Sequence, residues 1–249
     1  MRDENVYKGY PGVTTVVDLL DKPGLRYAYG FYGTVEMERR KKKSQDIGHK
    51  VHKAVEEWLK GARYVDIVST FETNQALMVK NIADWCAVNR LDVQLMEKSL
   101  IDEELGFAGT ADVIGKLNAK DELYVIDWKT DSTPKSSKDK AERNFKYGLQ
   151  LAGYALLYSK HLGVKINKGV IVRSGKTGDF AAFPFKSLTR YKKIFKGLLQ
   201  IYNEYKREES LHSKGRKKLP KRTAKARKLG RTSEQNSPVG NNGQSEQLG

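Results

Sequence analysis

The chain has 249 residues, 39% of them hydrophobic and 31% charged, with a formal net charge of +16. That is enough apolar matter for one sizeable domain, and no run approaches the roughly 18 apolar residues of a membrane span. A single cysteine, Cys86, excludes an internal disulfide and any zinc or iron–sulfur site held by several thiolates. The charge excess points to a polyanion, such as nucleic acid or an anionic surface. The opening MRDENVYKGY lacks the apolar segment of a signal peptide, so a cytoplasmic, non-secreted protein is expected.

In chain order, VTTVVDLL at 13–20 is apolar and β-branched and fits either a short strand or the start of a helix. Tyr27, Tyr29, Phe31 and Tyr32 read as core aromatics or as rings that stack on unpaired bases. The run Arg39-Arg40-Lys41-Lys42-Lys43 reads as a solvated loop ahead of the next helix, or as a lining for a strand's phosphates. DIGHKVHKAVEEWLK at 46–60 has helical spacing, with Val51, Val55, Trp58 and Leu59 on its apolar stripe. Residues 74–89 repeat the pattern, with Asn74 as N-cap. The period then changes to two, and residues 92–101, 107–117 and 122–129 read as strands. A helix over 140–160 follows, then a hairpin of 168–174 and 179–185 across GKTG, and a closing helix over 188–206. The expected fold is α/β (α+β), a central mixed sheet flanked by helices. Residues 207–249 carry eleven Lys and Arg against four Asp and Glu and few large apolar side chains. They read as a basic tail, disordered by itself, beyond a domain over 1–206.

In FAGTADVIGKLNAKDELYVIDWKT, a loop at Asn118–Asp121 sets Leu117 across from Glu122 and Asp112 directly opposite Asp127. Opposed Cβ atoms lie about 4.5–5.5 Å apart, where like charges repel, so two facing carboxylates need a shared proton or a cation. Lys129 shares the face of Asp127 because side chains alternate along a strand. A divalent metal with a nearby amine fits this set, since carboxylates suit Mg²⁺ or Mn²⁺. A strand-end salt bridge between Asp127 and Lys129 fits it too.

Asp112 within GTAD, followed by Asp127-Trp128-Lys129, resembles the D…(D/E)-x-K signature of the PD-(D/E)XK nuclease superfamily. Gln150-Leu151-Ala152-Gly153-Tyr154 looks like the Q-x-x-x-Y motif of its RecB-type branch, and Gly48 to Glu56 resembles that branch's G-x-x-x-H-x-x-x-E helix. PGVTTVVDLL is similar to the opening of related phage exonucleases and of the mitochondrial genome maintenance exonuclease. The resemblance spans about residues 10–205. It implies a restriction-endonuclease-like core and a Mg²⁺- or Mn²⁺-dependent deoxyribonuclease, an exonuclease on single-stranded DNA or DNA ends. His52, Asp112, Asp127 and the Trp128 backbone carbonyl would be the metal ligands, with Glu97 as an outer ligand or a holder of His52. Lys129 would handle the attacking water, and Gln150 and Tyr154 would support Lys129 and the scissile phosphate. Arg39, Arg40, Lys41, Lys42 and Lys43 would hold DNA. DNA repair or recombination, with replication or recombination proteins as partners, is the implied setting, in the cytoplasm or a phage host's cytoplasm. No membrane, iron–sulfur cluster or nucleotide enters; there is no P-loop. The rival readings are a non-catalytic DNA-binding scaffold of the same fold, a nuclease acting on RNA, and an endonuclease.

Overall fold

The computed structural model describes Tyr7 and residues 9–20, 23–130 and 137–214. The chain divides into Met1–Tyr205 and Lys206–Gly249. Most of the tail expected over 207–249 lies outside the described residues. The closing helix α7, Thr189–Lys214, runs past its expected end at 206.

Five strands form one sheet in the order β1-β4-β5-β6-β7. They are β1 Asp92–Met96, β4 Val113–Lys116, β5 Leu123–Lys129, β6 Lys168–Ser174 and β7 Phe180–Phe185. Every pairing is antiparallel except β5 with β6. Parallel neighbours need a long crossover. Here it is α6, Ser137–Leu162. The mixed sheet flanked by helices is the architecture expected.

Helix α1, Val13–Val17, settles the first open choice. Val13, Val16 and Val17 recur at helical spacing, and all three are buried. With α6 and α7 they cover one face of the sheet, packing on Ile114, Val125 and Ile171. Helices α3, Thr34–Leu59, and α5, Thr73–Val88, cover the other, packing on Val113, Ile126, Trp128 and Val170. Strand β5 is therefore buried on both sides, and its successive side chains serve two different cores.

Two expected strands are each broken. Residues 92–101 divide into β1 and β2, Ser99–Asp102, while 107–117 divide into β3, Phe107–Thr110, and β4. Strands β2 and β3 pair in a separate two-stranded sheet. At the first break Glu97 takes the left-handed conformation, φ 48°, and its amide donates to the Asp112 carbonyl (3.1 Å). The two breaks thus meet, and the long hairpin bends at one level in both strands. Periodicity alone does not register such a bend, because β-rich residues resume on both sides of it.

Other boundaries shift as well. Helix α5 starts with Glu72 as its N-cap, so Asn74 lies inside the helix. Helix α3 begins at Thr34, so the run 39–43 is helix and not a loop before one. Helix α2, Pro23–Tyr32, carries the aromatic cluster, and Tyr27 and Phe31 are 75% and 69% exposed, not core. No helix among the described residues is long and apolar enough to cross a membrane.

Candidate active site

The register of β4 on β5 is the one the loop length implied: Val113↔Ile126, Ile114↔Val125, Gly115↔Tyr124 and Lys116↔Leu123. One residue beyond the first pair, Asp112 stands across from Asp127. Both are buried at the bottom of a cleft of about 1080 Å³. Ile126 and Trp128 point into the α3/α5 core. Asp127 and Lys129 therefore face α6, the consequence of strand alternation.

Helix α6 meets them with a stripe of polar aromatics. Gln150 donates through Nε2 to Asp127 Oδ1 (3.0 Å) and to the Tyr154 hydroxyl (3.2 Å). Gln150 thus braces Asp127, the acid that pairs with Lys129. The Lys129 ammonium pairs with Asp127 Oδ2 at 2.5 Å and lies 5.9 Å from the centre of the Tyr147 ring. Asp112 accepts the Trp128 amide on Oδ2 (2.7 Å), while its Oδ1 lies 3.3 Å from His52 Nδ1. The Trp128 side chain packs edge-on against Trp85, with ring centres 6.1 Å apart, so Trp128 offers the cleft its backbone.

His52 reaches the site from α3. Lys41, Ser44, Gln45, Gly48 and His52 line the cleft along one face of that helix, spaced by three and four residues. Glycine at 48 suits its place, since a Cβ there would lie 3.3 Å from Thr130 Oγ1. The other residues of the basic run point elsewhere, because each step along a helix turns the side chain by about 100°. Arg39, Lys42 and Lys43 line a separate groove with Lys50, and the Arg40 guanidinium lies 4.2 Å from the centre of the Tyr32 ring. Of the five, Lys41 alone lines the cleft.

His52, Glu97 and Asp112 each place a donor atom within 4.8 Å of the others. Glu97 gets there because it sits at the strand break. Asp127 stands just behind this group. Its Oδ2, apart from the ion pair with Lys129, accepts no well-aligned hydrogen bond. Burial pushes the Asp127 carboxyl up; the Lys129 ammonium opposes this and the Asp112 charge adds to it. Burial works against a charged His52, but the Asp112 carboxylate and its hydrogen bond, with Asp127 behind, outweigh it and hold the imidazole above its ordinary value. Three buried or half-buried acids around one imidazole form an electron-rich set suited to a hard divalent cation.

Some contributors carry no signal in the sequence. The Tyr158 hydroxyl accepts the buried Ala111 amide (3.0 Å) and donates to the Lys98 carbonyl, so α6 ties both strand breaks together. Lys176 and Thr177, in the β6–β7 turn, also line the cleft; only their place in GKTG points to a turn. Gly109 lets α6 and α1 approach β3, since a Cβ there would lie 2.9–3.0 Å from Val13, Leu157 and Tyr154. Gly109→Ala is expected to cost about 1–3 kcal/mol through overpacking, read by chemical denaturation.

No curated protein matches the chain. Among solved structures, the chain is similar to the "Putative exonuclease" of Eubacterium rectale, with TM-score 0.47 and 16% identity over 80% of each chain. It is also similar to the alkaline exonuclease LHK-Exo of Laribacter hongkongensis, with TM-score 0.37 and 11% identity over 84% of this chain and 99% of that one. Likeness at this level does not bear on chemistry. The model of the PD-(D/E)XK nuclease superfamily matches residues 17–229, and the chain belongs to that superfamily.

Proposed function

We propose that the protein is a divalent-metal-dependent deoxyribonuclease of the RecB type, acting as an exonuclease on single-stranded DNA or DNA ends. The observation that carries this reading is the convergence of His52, Glu97 and Asp112 beside the buried Asp127–Lys129 pair at the bottom of one cleft. A non-catalytic scaffold has no use for two opposed buried carboxylates, whose repulsion costs stability unless a cation offsets it.

In this reading His52, Asp112, Asp127 and the Trp128 carbonyl hold Mg²⁺ or Mn²⁺, with Glu97 at the edge of the site. When bound, the cation supplies Lewis-acid polarisation of a phosphate oxygen. The remaining work falls to side chains. Gln150 fixes the Asp127 carboxylate through Oδ1, leaving Oδ2 to Lys129. Lys129 orients the attacking water and offsets the charge that develops on the phosphate. Tyr154 holds the Gln150 amide in place from one turn along α6. Lys41 and Lys176, both lining the cleft, draw the strand's phosphates into it. The domain spans residues 1–206, with residues 207–249 as a basic tail that adds phosphate contacts.

The test is parallel digestion of end-labelled linear, circular and single-stranded DNA with Mg²⁺, Mn²⁺ or EDTA. Degradation of linear single strands with either metal, stopped by EDTA and sparing circles, is expected. Cutting of circles would replace exonuclease with endonuclease action, and absence of cleavage under every condition would overturn the nuclease reading. Without DNA, Mn²⁺ at about a hundredfold over its dissociation constant is expected to stabilise the fold by about 2.7 kcal/mol. Thermal denaturation reads this, and Asp112→Asn should remove most of the gain.

A further inference from the structure

Large apolar side chains crowd one exposed surface far from the cleft floor. On α2, Tyr27 and Phe31 are 75% and 69% exposed, Tyr32 is 46% exposed, and Val35, just past the Gly33 turn, is 86% exposed. Tyr27 and Phe31 lie one helical turn apart with ring planes within 14° of parallel and centres 6.4 Å apart. Phe31 and Tyr32 meet edge to face at 4.8 Å. Exposed rings of this size are costly to leave in water, so a cluster of them marks a contact surface.

The neighbouring charges say what kind of partner fits. Immediately beyond on α3 come Arg39, Arg40, Lys41, Lys42 and Lys43, set against Glu36 and Glu38. Glu36 takes both Arg39 and Arg40, and Tyr29 donates its hydroxyl to Glu38. The Tyr29–Glu38 contact ties α2 to α3, and the segment stays net positive. The Arg40 guanidinium, 4.2 Å from the Tyr32 ring centre, holds that ring in place. Flat rings beside a cationic helix are the two ingredients of sequence-tolerant single-strand binding: bases stack and phosphates pair.

We propose that the exposed face of α2, with Tyr27 and Phe31 at its centre, is a second binding surface for unpaired DNA bases, linked to the cleft by α3. Resting on the nuclease reading above, it names what holds the uncut part of the strand. From His52 to Arg40 the helix rises about 18 Å at 1.5 Å per residue. That is roughly five nucleotides at the ~3.4 Å spacing of stacked bases. Lys41 faces the cleft and Arg40 faces the Tyr32 ring, so the two surfaces join on adjacent residues of one helix. A strand engaged at the metal site and extending beyond about five nucleotides reaches the rings.

The experiment measures binding of the full-length protein, in EDTA, to a fluorescent twenty-nucleotide oligothymidine and to an abasic strand with the same number of phosphates. Wild type is expected to bind the base-bearing strand roughly tenfold more tightly. The double variant Tyr27→Ala/Phe31→Ala should bring that strand down to the abasic level with its salt dependence unchanged, and Tyr27→Phe/Phe31→Tyr should restore it. Equal binding of both strands by wild type overturns the proposal, and so does an unchanged preference in the double variant. A loss of self-association in the double variant, with strand binding intact, also overturns it and assigns the surface to a second copy of the chain. Cleavage plays no part in these readouts, so a wild type that cuts nothing with Mg²⁺ or Mn²⁺ sinks the nuclease reading separately.

Discussion

Lys129→Met is expected to lower the rate of DNA cleavage by at least about a hundredfold, while affinity for the strand stays within a few-fold. The reason lies in where β5 delivers this side chain. Trp128 is committed to the α3/α5 core, so Lys129 is turned to the α6 side, 22% exposed, with its ammonium at 2.5 Å from Asp127 Oδ2. It is a point charge at the bottom of the cleft, next to the acids proposed as ligands. Methionine keeps the stem and removes the charge, so packing against α6 survives. Part of the lost attraction is recovered because the Asp127 carboxyl, already pushed up by burial, takes a proton. A stability change well under that of an ordinary buried ion pair follows, and a large fall in turnover cannot then be put down to unfolding. Single-turnover kinetics at saturating Mn²⁺ checks this. Cleavage within a few-fold of wild type in both Lys129→Met and Asp127→Asn would remove these residues from the chemistry.

The second large effect is expected at a residue with no motif. Tyr158→Phe leaves the buried Ala111 amide without its acceptor and the Lys98 carbonyl without its donor. Orphaning buried polar groups costs about 1–3 kcal/mol, a fall of several degrees in melting temperature for a domain of this size. The consequence for the site follows from neighbourhood. Ala111 precedes Asp112 and Lys98 follows Glu97, so one hydroxyl ties both breaks in the long hairpin. Loosening it lets His52, Glu97 and Asp112 drift from their common centre. The concentration of Mn²⁺ needed for half-maximal activity should therefore rise, by roughly tenfold if about one ligand's contribution is lost. Denaturation and a metal titration of the same variant are the two measurements. A variant that melts lower with an unchanged metal requirement would make Tyr158 a structural anchor alone.

These two residues also mark how far the sequence reads by itself. Asp127 and Lys129 were legible because strand alternation is a local rule, and the loop length fixed the register that brings Asp112 across from Asp127. His52, Gln150 and Tyr154 were legible through motif spacing on helices, where positions four apart share a face. Glu97 falls in a stretch, 92–101, that reads as one continuous strand and divides into two. It stands at a left-handed break, where its amide donates to the Asp112 carbonyl. The basic run divides differently in three dimensions. Five adjacent cations read as one patch, yet on a helix they fan around the axis, and Lys41 alone of the five lines the cleft.

By itself, then, the sequence determined the mixed sheet with flanking helices, the opposed carboxylates and the lysine beside them. All three depend on spacing within short segments, which covalent geometry and backbone hydrogen bonding translate directly into facing or opposite sides. The tertiary structure alone decided that Gln150 braces Asp127, that Tyr158 ties Lys98 to Ala111, and that Lys176 looks into the cleft. It also decided that the α2 rings are left exposed. Such relations join residues 23 to 60 positions apart, or turn on which helix face meets the sheet. They are set by how two cores pack on either side of β5, and no local pattern records that.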